Sequence, residues 1–335
     1  MTSGSYLITG ATGFVGSHVA DRCRRDGIPV VAVVRPESDT SHLETLGATI
    51  VRGELSDDAV LAKAMEGVSV AIHCAAKVGD WGPVEEYRAV NVDSLDHLVK
   101  ACVGRGLKKF VLVSSLGVYA ARHHYGTTED EPLPAHHFDG YTQSKVEAET
   151  RLIRLAVENG VPYTILRPGF IYGPRDRNVM PKLARNLERK VVRYVGGGDA
   201  LLNTTNVHNL VDAVMLAIAD PRADGTIFNI TDGEAVTRRR FFEAVSGNLG
   251  LPKPGGSLPM FVARGLATGV EAWAKMLGWK DAPRVTRAKV KFLGLNLDFS
   301  IARARTVLGY DPQVSFEVGM REATDWYRSL SRKPS

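Results

Sequence analysis

Tyr6-Leu7-Ile8-Thr9-Gly10-Ala11-Thr12-Gly13-Phe14-Val15-Gly16 sets an apolar strand, a glycine-rich turn and the start of a helix in immediate succession. Glycines in such a turn let backbone N–H groups approach a pyrophosphate, whose charge the positive end of the helix dipole favours. A tight turn that binds nothing is the plainer alternative. The strand before and the helix after argue for the phosphate site.

Outward from that stretch, strand and helix patterns alternate. Strands are expected at 6–9, 30–34, 49–51, 70–73, 110–114 and 163–166, and helices at about 14–26, 57–65, 84–103 and 142–158. Alternating βα units build a parallel sheet covered by helices on both faces, so the fold class is α/β with a doubly wound sheet. Beyond 168 the chain is punctuated by Pro168-Gly169, Gly173-Pro174 and Gly196-Gly197-Gly198. This predicts a dinucleotide-binding unit of 1–168 to which 206–230 returns. A smaller, discontinuous substrate region of 169–205 and 231–335 completes the chain.

Composition narrows the function. Among 335 residues, 42 Lys and Arg stand against 37 Asp and Glu, a net charge of +5 with no long run of one sign. No nucleic acid partner is expected, since phosphate-tracking proteins concentrate their basic residues. Three cysteines, Cys23, Cys74 and Cys102, form no CxxC pair, so neither a disulfide framework nor a metal site is expected. A reducing, cytoplasmic location and no secretory signal fit the N-terminal strand.

The stretch 258–279 carries Arg264, Glu271 and Lys275, which excludes an ordinary membrane span. Val262, Leu266, Val270, Trp273 and Leu277 recur at helical spacing. Such a stripe reads as a core or dimer contact; the other readings are a lid or a helix lying peripherally on a membrane.

Two further stretches carry chemistry. Val113-Ser114-Ser115-Leu116-Gly117-Val118-Tyr119 ends the fifth strand, and Tyr141-Thr142-Gln143-Ser144-Lys145 places a phenol and an ammonium one helical turn apart. A neighbouring Lys⁺ is expected to stabilise the phenolate and lower its pKa from ~10, so that Tyr141 can exchange a proton with a substrate oxygen.

With His73-Cys74-Ala75-Ala76, Asn91-Val92 and Arg167-Pro168-Gly169-Phe170-Ile171-Tyr172-Gly173-Pro174, these stretches resemble the extended short-chain dehydrogenases/reductases over nearly the whole chain. The resemblance implies a Rossmann-type sheet and a nicotinamide dinucleotide. Gly10, Thr12, Gly13, Phe14, Val15 and Gly16 would hold it, together with Ala75, Ala76, Lys77, Asn91, Pro168, Gly169, Phe170 and Ile171. It also implies Tyr141 as general acid/base, Ser115 orienting the reacting oxygen, Lys145 reaching the nicotinamide ribose, and a homodimer. Ser114 is the alternative to Ser115. Arg35 follows the second strand where an acid would bind a ribose 2′-hydroxyl, which favours NADP over NAD; a commonplace surface Arg is the alternative. Glu54 and Leu55 fall near the adenine.

Nucleotide-sugar members of this group usually present an Arg where Leu202 stands, and a leucine cannot neutralise a diphosphate. Val207-His208-Asn209, the loop from Lys77 to Gly82 and the run from Pro174 to Asn178 resemble instead the 3β-hydroxysteroid dehydrogenase and sterol-4-carboxylate 3-dehydrogenase branch. That implies an apolar alcohol or ketone, such as a sterol, a triterpenoid or a long-chain β-keto compound, near Trp81, Tyr119 and Leu202. A nucleotide-sugar epimerase and a non-catalytic dinucleotide-binding protein are the alternatives. His123-His124, His136-His137 and Arg238-Arg239-Arg240 are expected to be solvated surface residues.

Overall fold

Seven parallel strands form the central sheet of the computed structural model, which describes residues 4–331 apart from Lys280 and Arg284. The outermost residues of both expected regions, 1–3 and 332–335, lie outside the described residues. The strands are β1 (Ser5–Thr9), β2 (Val30–Val34), β3 (Thr49–Arg52), β4 (Val68–His73), β5 (Lys109–Val113), β6 (Tyr163–Pro168) and β7 (Thr226–Ile230). Their order is β7-β6-β5-β4-β1-β2-β3, with every neighbouring pair parallel. The order reverses between β1 and β4, and the crevice beyond their carboxyl ends is where such sheets receive ligands.

Both faces of the sheet are covered. Every residue of β2 (Val-Val-Ala-Val-Val) and of β5 is buried, as strands covered on both faces require. Strand alternation sends Ile8, Val70, Val111 and Leu166 into one core layer and Leu7, Ala71, Phe110 and Ile165 into the other. Helices α1 (Phe14–Arg25), α2 (Asp58–Ala64), α3 (Ser94–Cys102), α4 (Gly140–Asn159) and α5 (Val207–Ala219) supply the cover, α1 packing against α5 and α3 against α4. A third core of Tyr119, Tyr172, Phe241, Phe299 and Phe316 lies among the C-terminal elements.

Two features depart from the expected outline. The helix expected at 84–103 is interrupted by a π-helical turn, Ala89–Asp93. That wider turn carries the buried Asn91, whose Oδ1 accepts from the Lys77 N–H at 2.7 Å while its Nδ2 donates to Ser144 Oγ at 2.8 Å. Second, Ile301, Ala304, Leu308 and Tyr310 pack into the same core layer as Ile8. Part of 231–335 therefore belongs with the central sheet, because the apolar face of the helix Ala302–Leu308 finds its cover there.

Candidate active site

Two glycines of the loop, Gly10 and Gly16, leave no room for a side chain. Gly10 has φ +67° and a Cβ there would lie 2.7 Å from the Ala75 nitrogen; one on Gly16 would lie 2.3 Å from the Gly10 oxygen. Gly13 caps α1 without a side-chain hydrogen bond, so the first N–H groups of the helix have no capping side chain. A backbone cradle at a helix N-terminus fits the pyrophosphate of a dinucleotide.

A cleft of about 1230 Å³ runs from this loop in both directions. Gly10, Thr12, Gly13, Phe14, Val15 and Gly16 line it, with Arg35, Glu54 and Leu55 toward one end and Ala75, Ala76 and Lys77 beside the loop. Ser115, Tyr119, Tyr141 and Pro168, Gly169, Phe170 and Ile171 line the other half, which closes on Lys291, Phe292, Leu297 and Phe299.

Four expected site residues lie outside the lining. Asn91 is buried behind the wall and holds the Lys77 backbone, so it positions rather than touches. Trp81 donates Nε1–H to the Trp279 carbonyl at 3.0 Å, on the connection that follows the helix Met260–Met276. Leu202 is only 2 % exposed and packs into the aromatic core; alternation along the chain gives the cleft Asn203 instead. Lys145, also buried, donates from Nζ to the Val113 carbonyl at 2.9 Å.

The electrostatics overturn the expected acidification of the phenol. Burial pushes Tyr141 up to about 12; the Ser115 hydroxyl opposes this and the Asp139 carboxylate adds to it. Burial likewise drives Lys145 down to about 8, against the pull of Cys74 and Glu149. Desolvation thus dominates, and Tyr141 is held protonated.

Ser114 and Ser115 are told apart by their partners. The Ser114 hydroxyl donates to the buried carboxylate of Glu149, whereas Ser115 Oγ accepts from the Gly117 N–H at 3.0 Å and keeps its own proton to give. Glu149 in turn takes Arg167 Nε at 3.0 Å and Nη2 at 2.6 Å, both side chains almost fully buried. Arg167 Nη1 donates to the Tyr119 hydroxyl at 2.8 Å, and that hydroxyl donates to Asn229 Oδ1 at 2.8 Å. Tyr119 thus lines the cleft with its ring while its polar end is committed elsewhere.

Two lining residues, Lys291 and His124, and Arg238 outside the lining were not singled out from sequence as site residues. Lys291 donates from Nζ to the Gly117 carbonyl at 3.0 Å, two residues from Ser115, and its burial lowers its pKa. His124, expected to be solvated, is 1 % exposed and bonds Ala120 O at 2.9 Å and Thr127 Oγ1 at 3.0 Å. Arg238, expected on a charged surface, is also buried and donates to the carbonyls of Phe292, Ala200 and Leu201 at 2.7, 2.9 and 2.7 Å. Lys291 and Arg238 are fixed by contacts distant in sequence, His124 by its own turn, and none belongs to a recognisable motif. The arrangement brings Ser115 and Tyr141 onto one cleft that Lys291 and the aromatic side chains of Phe170, Phe292 and Phe299 also line.

The chain is similar over most of its length to known proteins. The profile of the NAD dependent epimerase/dehydratase family matches residues 6–231. A 2-alkyl-3-oxoalkanoate reductase of Shewanella oneidensis is 28% identical over 327 residues, covering 94% of this chain and 84% of that protein. The decarboxylating sterol-4-alpha-carboxylate 3-dehydrogenase erg26 of Schizosaccharomyces pombe is 29% identical over 345 residues, 97% of this chain and 98% of its own. Among solved structures, MoeE5 in complex with UDP-glucose and NAD superposes with a TM-score of 0.74 at 25% identity, over 98% of this chain and 100% of that one.

Proposed function

The chain belongs to the NAD dependent epimerase/dehydratase family, and on that premise we propose that it is an extended short-chain dehydrogenase/reductase interconverting the ketone and alcohol of an apolar β-keto acid. The observation that carries this is the placement of the Tyr141 and Ser115 hydroxyls on one cleft with Lys291 and the aromatic walls just beyond them. Both named relatives support the substrate class. A 3-oxoalkanoate and a sterol-4-carboxylate each carry a carboxylate on the carbon next to the reacting one.

When bound, the dinucleotide supplies the hydride in reduction and takes it up in oxidation. Tyr141 gives its phenolic proton to the carbonyl oxygen as charge develops there, and Ser115 donates a hydrogen bond to the same atom. Lys291 pairs with the carboxylate and so fixes which face of the ketone is presented. Phe170, Phe292, Leu297 and Phe299 receive the hydrocarbon body and keep water out, which strengthens both polar contacts.

We infer NADP as the preferred dinucleotide from Arg35 at the cleft rim, where its Nε pairs with Glu37 at 3.3 Å and a guanidinium suits a 2′-phosphate. A homodimer and a cytoplasmic location are inferred from family membership and composition. Among the described residues no helix is long and apolar enough to cross a membrane.

Absorbance at 340 nm with NADPH and a long-chain 3-oxo acid provides the test. Net oxidation of NADPH is expected, with Lys291→Met raising KM for the acid about tenfold while a ketone lacking the carboxylate is little affected. Interconversion of a UDP-sugar without net oxidation would establish the epimerase reading instead.

A further inference from the structure

Helix α6 (Met260–Met276) turns its bulkiest apolar side chains away from the molecule. It packs inward through Ala263, Ala267, Ala274 and the carboxylate of Glu271, while Phe261, Trp273, Met276 and Leu277 are 77 %, 57 %, 69 % and 52 % exposed. The stripe expected as a core or dimer contact thus faces out from the chain at Leu266, Val270, Trp273 and Leu277. Small residues on the inner face let α6 lie close to α7 (Arg287–Gly294), so its large residues are not needed there.

Charge follows the same division. Glu271, the acid within α6, accepts the Arg287 N–H at 2.6 Å and Arg287 Nε at 2.7 Å, which leaves Arg264 and Lys275 as the exposed charges of the helix. Residues 258–294 contain seven basic and two acidic side chains, an excess of +5 that equals the net charge of the whole chain; Arg287 is spent on Glu271, Lys289 lies 3.4 Å from Asp80 and Lys291 lines the cleft, so Arg264 and Lys275 carry the charge of the exposed face of the helix. The rest of the protein is balanced. The patch also borders the apolar end of the cleft: α7 contributes Ala288, Lys291 and Phe292 to the lining, and the connection between α6 and α7 bonds the loop carrying Asp80 and Trp81.

We infer that α6 and the turn at 277–279 that follows it dock the protein on an anionic phospholipid bilayer. The helix, roughly 25 Å long at 1.5 Å per residue, lies in the headgroup plane with Trp273, Leu277 and Met276 sunk among the acyl chains and the basic residues against lipid phosphates. A second copy of the chain is the weaker occupant, because a two-fold contact would set this positive patch against itself. An anionic surface offers the opposite sign. The inference rests on the exposed stripe and its charge and is independent of the reaction proposed above; where that reaction holds, docking turns the apolar end of the cleft toward the lipid.

Co-sedimentation of the full chain with vesicles of phosphatidylcholine, alone or with about a third phosphatidylglycerol, tests it. Binding to the anionic vesicles is expected to exceed binding to the neutral ones by about tenfold and to weaken in high salt. A Trp273→Ser/Leu277→Ser variant, with unchanged circular dichroism and NADPH binding, should lose that binding by about tenfold. Three results would overturn the docking surface: no capture by anionic vesicles, equal capture by both vesicle types at every salt concentration, or a wild-type dimer that the same variant turns into a monomer. The last would assign the stripe to a second copy.

Discussion

The Lys145 ammonium donates to the carbonyl of Val113 at 2.9 Å, which ties α4 to the end of β5. Burial pushes this lysine down to about 8 and the phenol of Tyr141 up to about 12. Between these values Tyr141 stays protonated while Lys145 loses its charge. In the reductive direction, kcat/KM should therefore fall as pH rises through about 8, reporting the lysine. Lys145→Met should lower the rate and abolish that limb; an initial-rate profile that stays flat well into the alkaline range removes the expectation that a charged Lys145 serves the nicotinamide ribose.

Tyr141 and Ser115 share the cleft, whereas the Ser114 hydroxyl is spent on Glu149. Tyr141→Phe should cut kcat by roughly 10²–10⁴ with dinucleotide affinity retained, and Ser115→Ala should cut it by a similar order. Ser114→Ala should keep turnover within a few-fold and lose instead about 1–3 kcal/mol of stability, the cost of a buried acceptor left short of a donor. Steady-state kinetics beside urea melts separate the two serines; reversed phenotypes would exchange their roles.

Glu149 and Arg167 form an ion pair in which both side chains are nearly inaccessible to water. Removing one partner leaves a buried charge uncompensated, so Arg167→Met should cost about 3–5 kcal/mol. The Glu149→Leu/Arg167→Met double variant should recover much of that loss. A double variant as unstable as the sum of the singles would show that the pair is held by its other partners, Tyr119 and Ser114.

His73 and His18 are buried and neutral, held down to about 3 and about 4, chiefly by burial. The unfolded chain protonates near ~6.5. Above that pH both states are neutral and stability is independent of these residues. Below it the unfolded state takes up protons that the native state refuses, so stability falls as pH drops from 6.5 toward about 4, by about 1.4 kcal/mol per histidine per pH unit. Denaturant midpoints measured across that range should decline, and His73→Gln should shallow the slope.

Arg35 and Glu37 sit together at the rim of the cleft with opposite preferences for a ribose 2′ group. Arg35→Ser should lower kcat/KM for NADPH about tenfold relative to NADH, and Glu37→Ser should move the ratio the other way. NADH preferred by the unaltered enzyme, and unchanged in Arg35→Ser, would remove NADP from the proposal.

Local sequence determined the parts of this protein that local physics controls. Gly10 and Gly16 admit no side chain, the βα alternation builds the parallel sheet, and Tyr141 and Lys145 share a helix face at a spacing of one turn. Tertiary structure decided what depends on meeting distant residues. Burial, rather than the nearby ammonium, fixes the proton on Tyr141. Leu202 went to the core and left the cleft to Asn203; Lys291 came in from α7 to stand beside Gly117. The stripe on α6 was legible as a stripe, but which way it faced was not. A helical period marks a face without naming the surface that covers it, and desolvation is set by every neighbour the fold brings together.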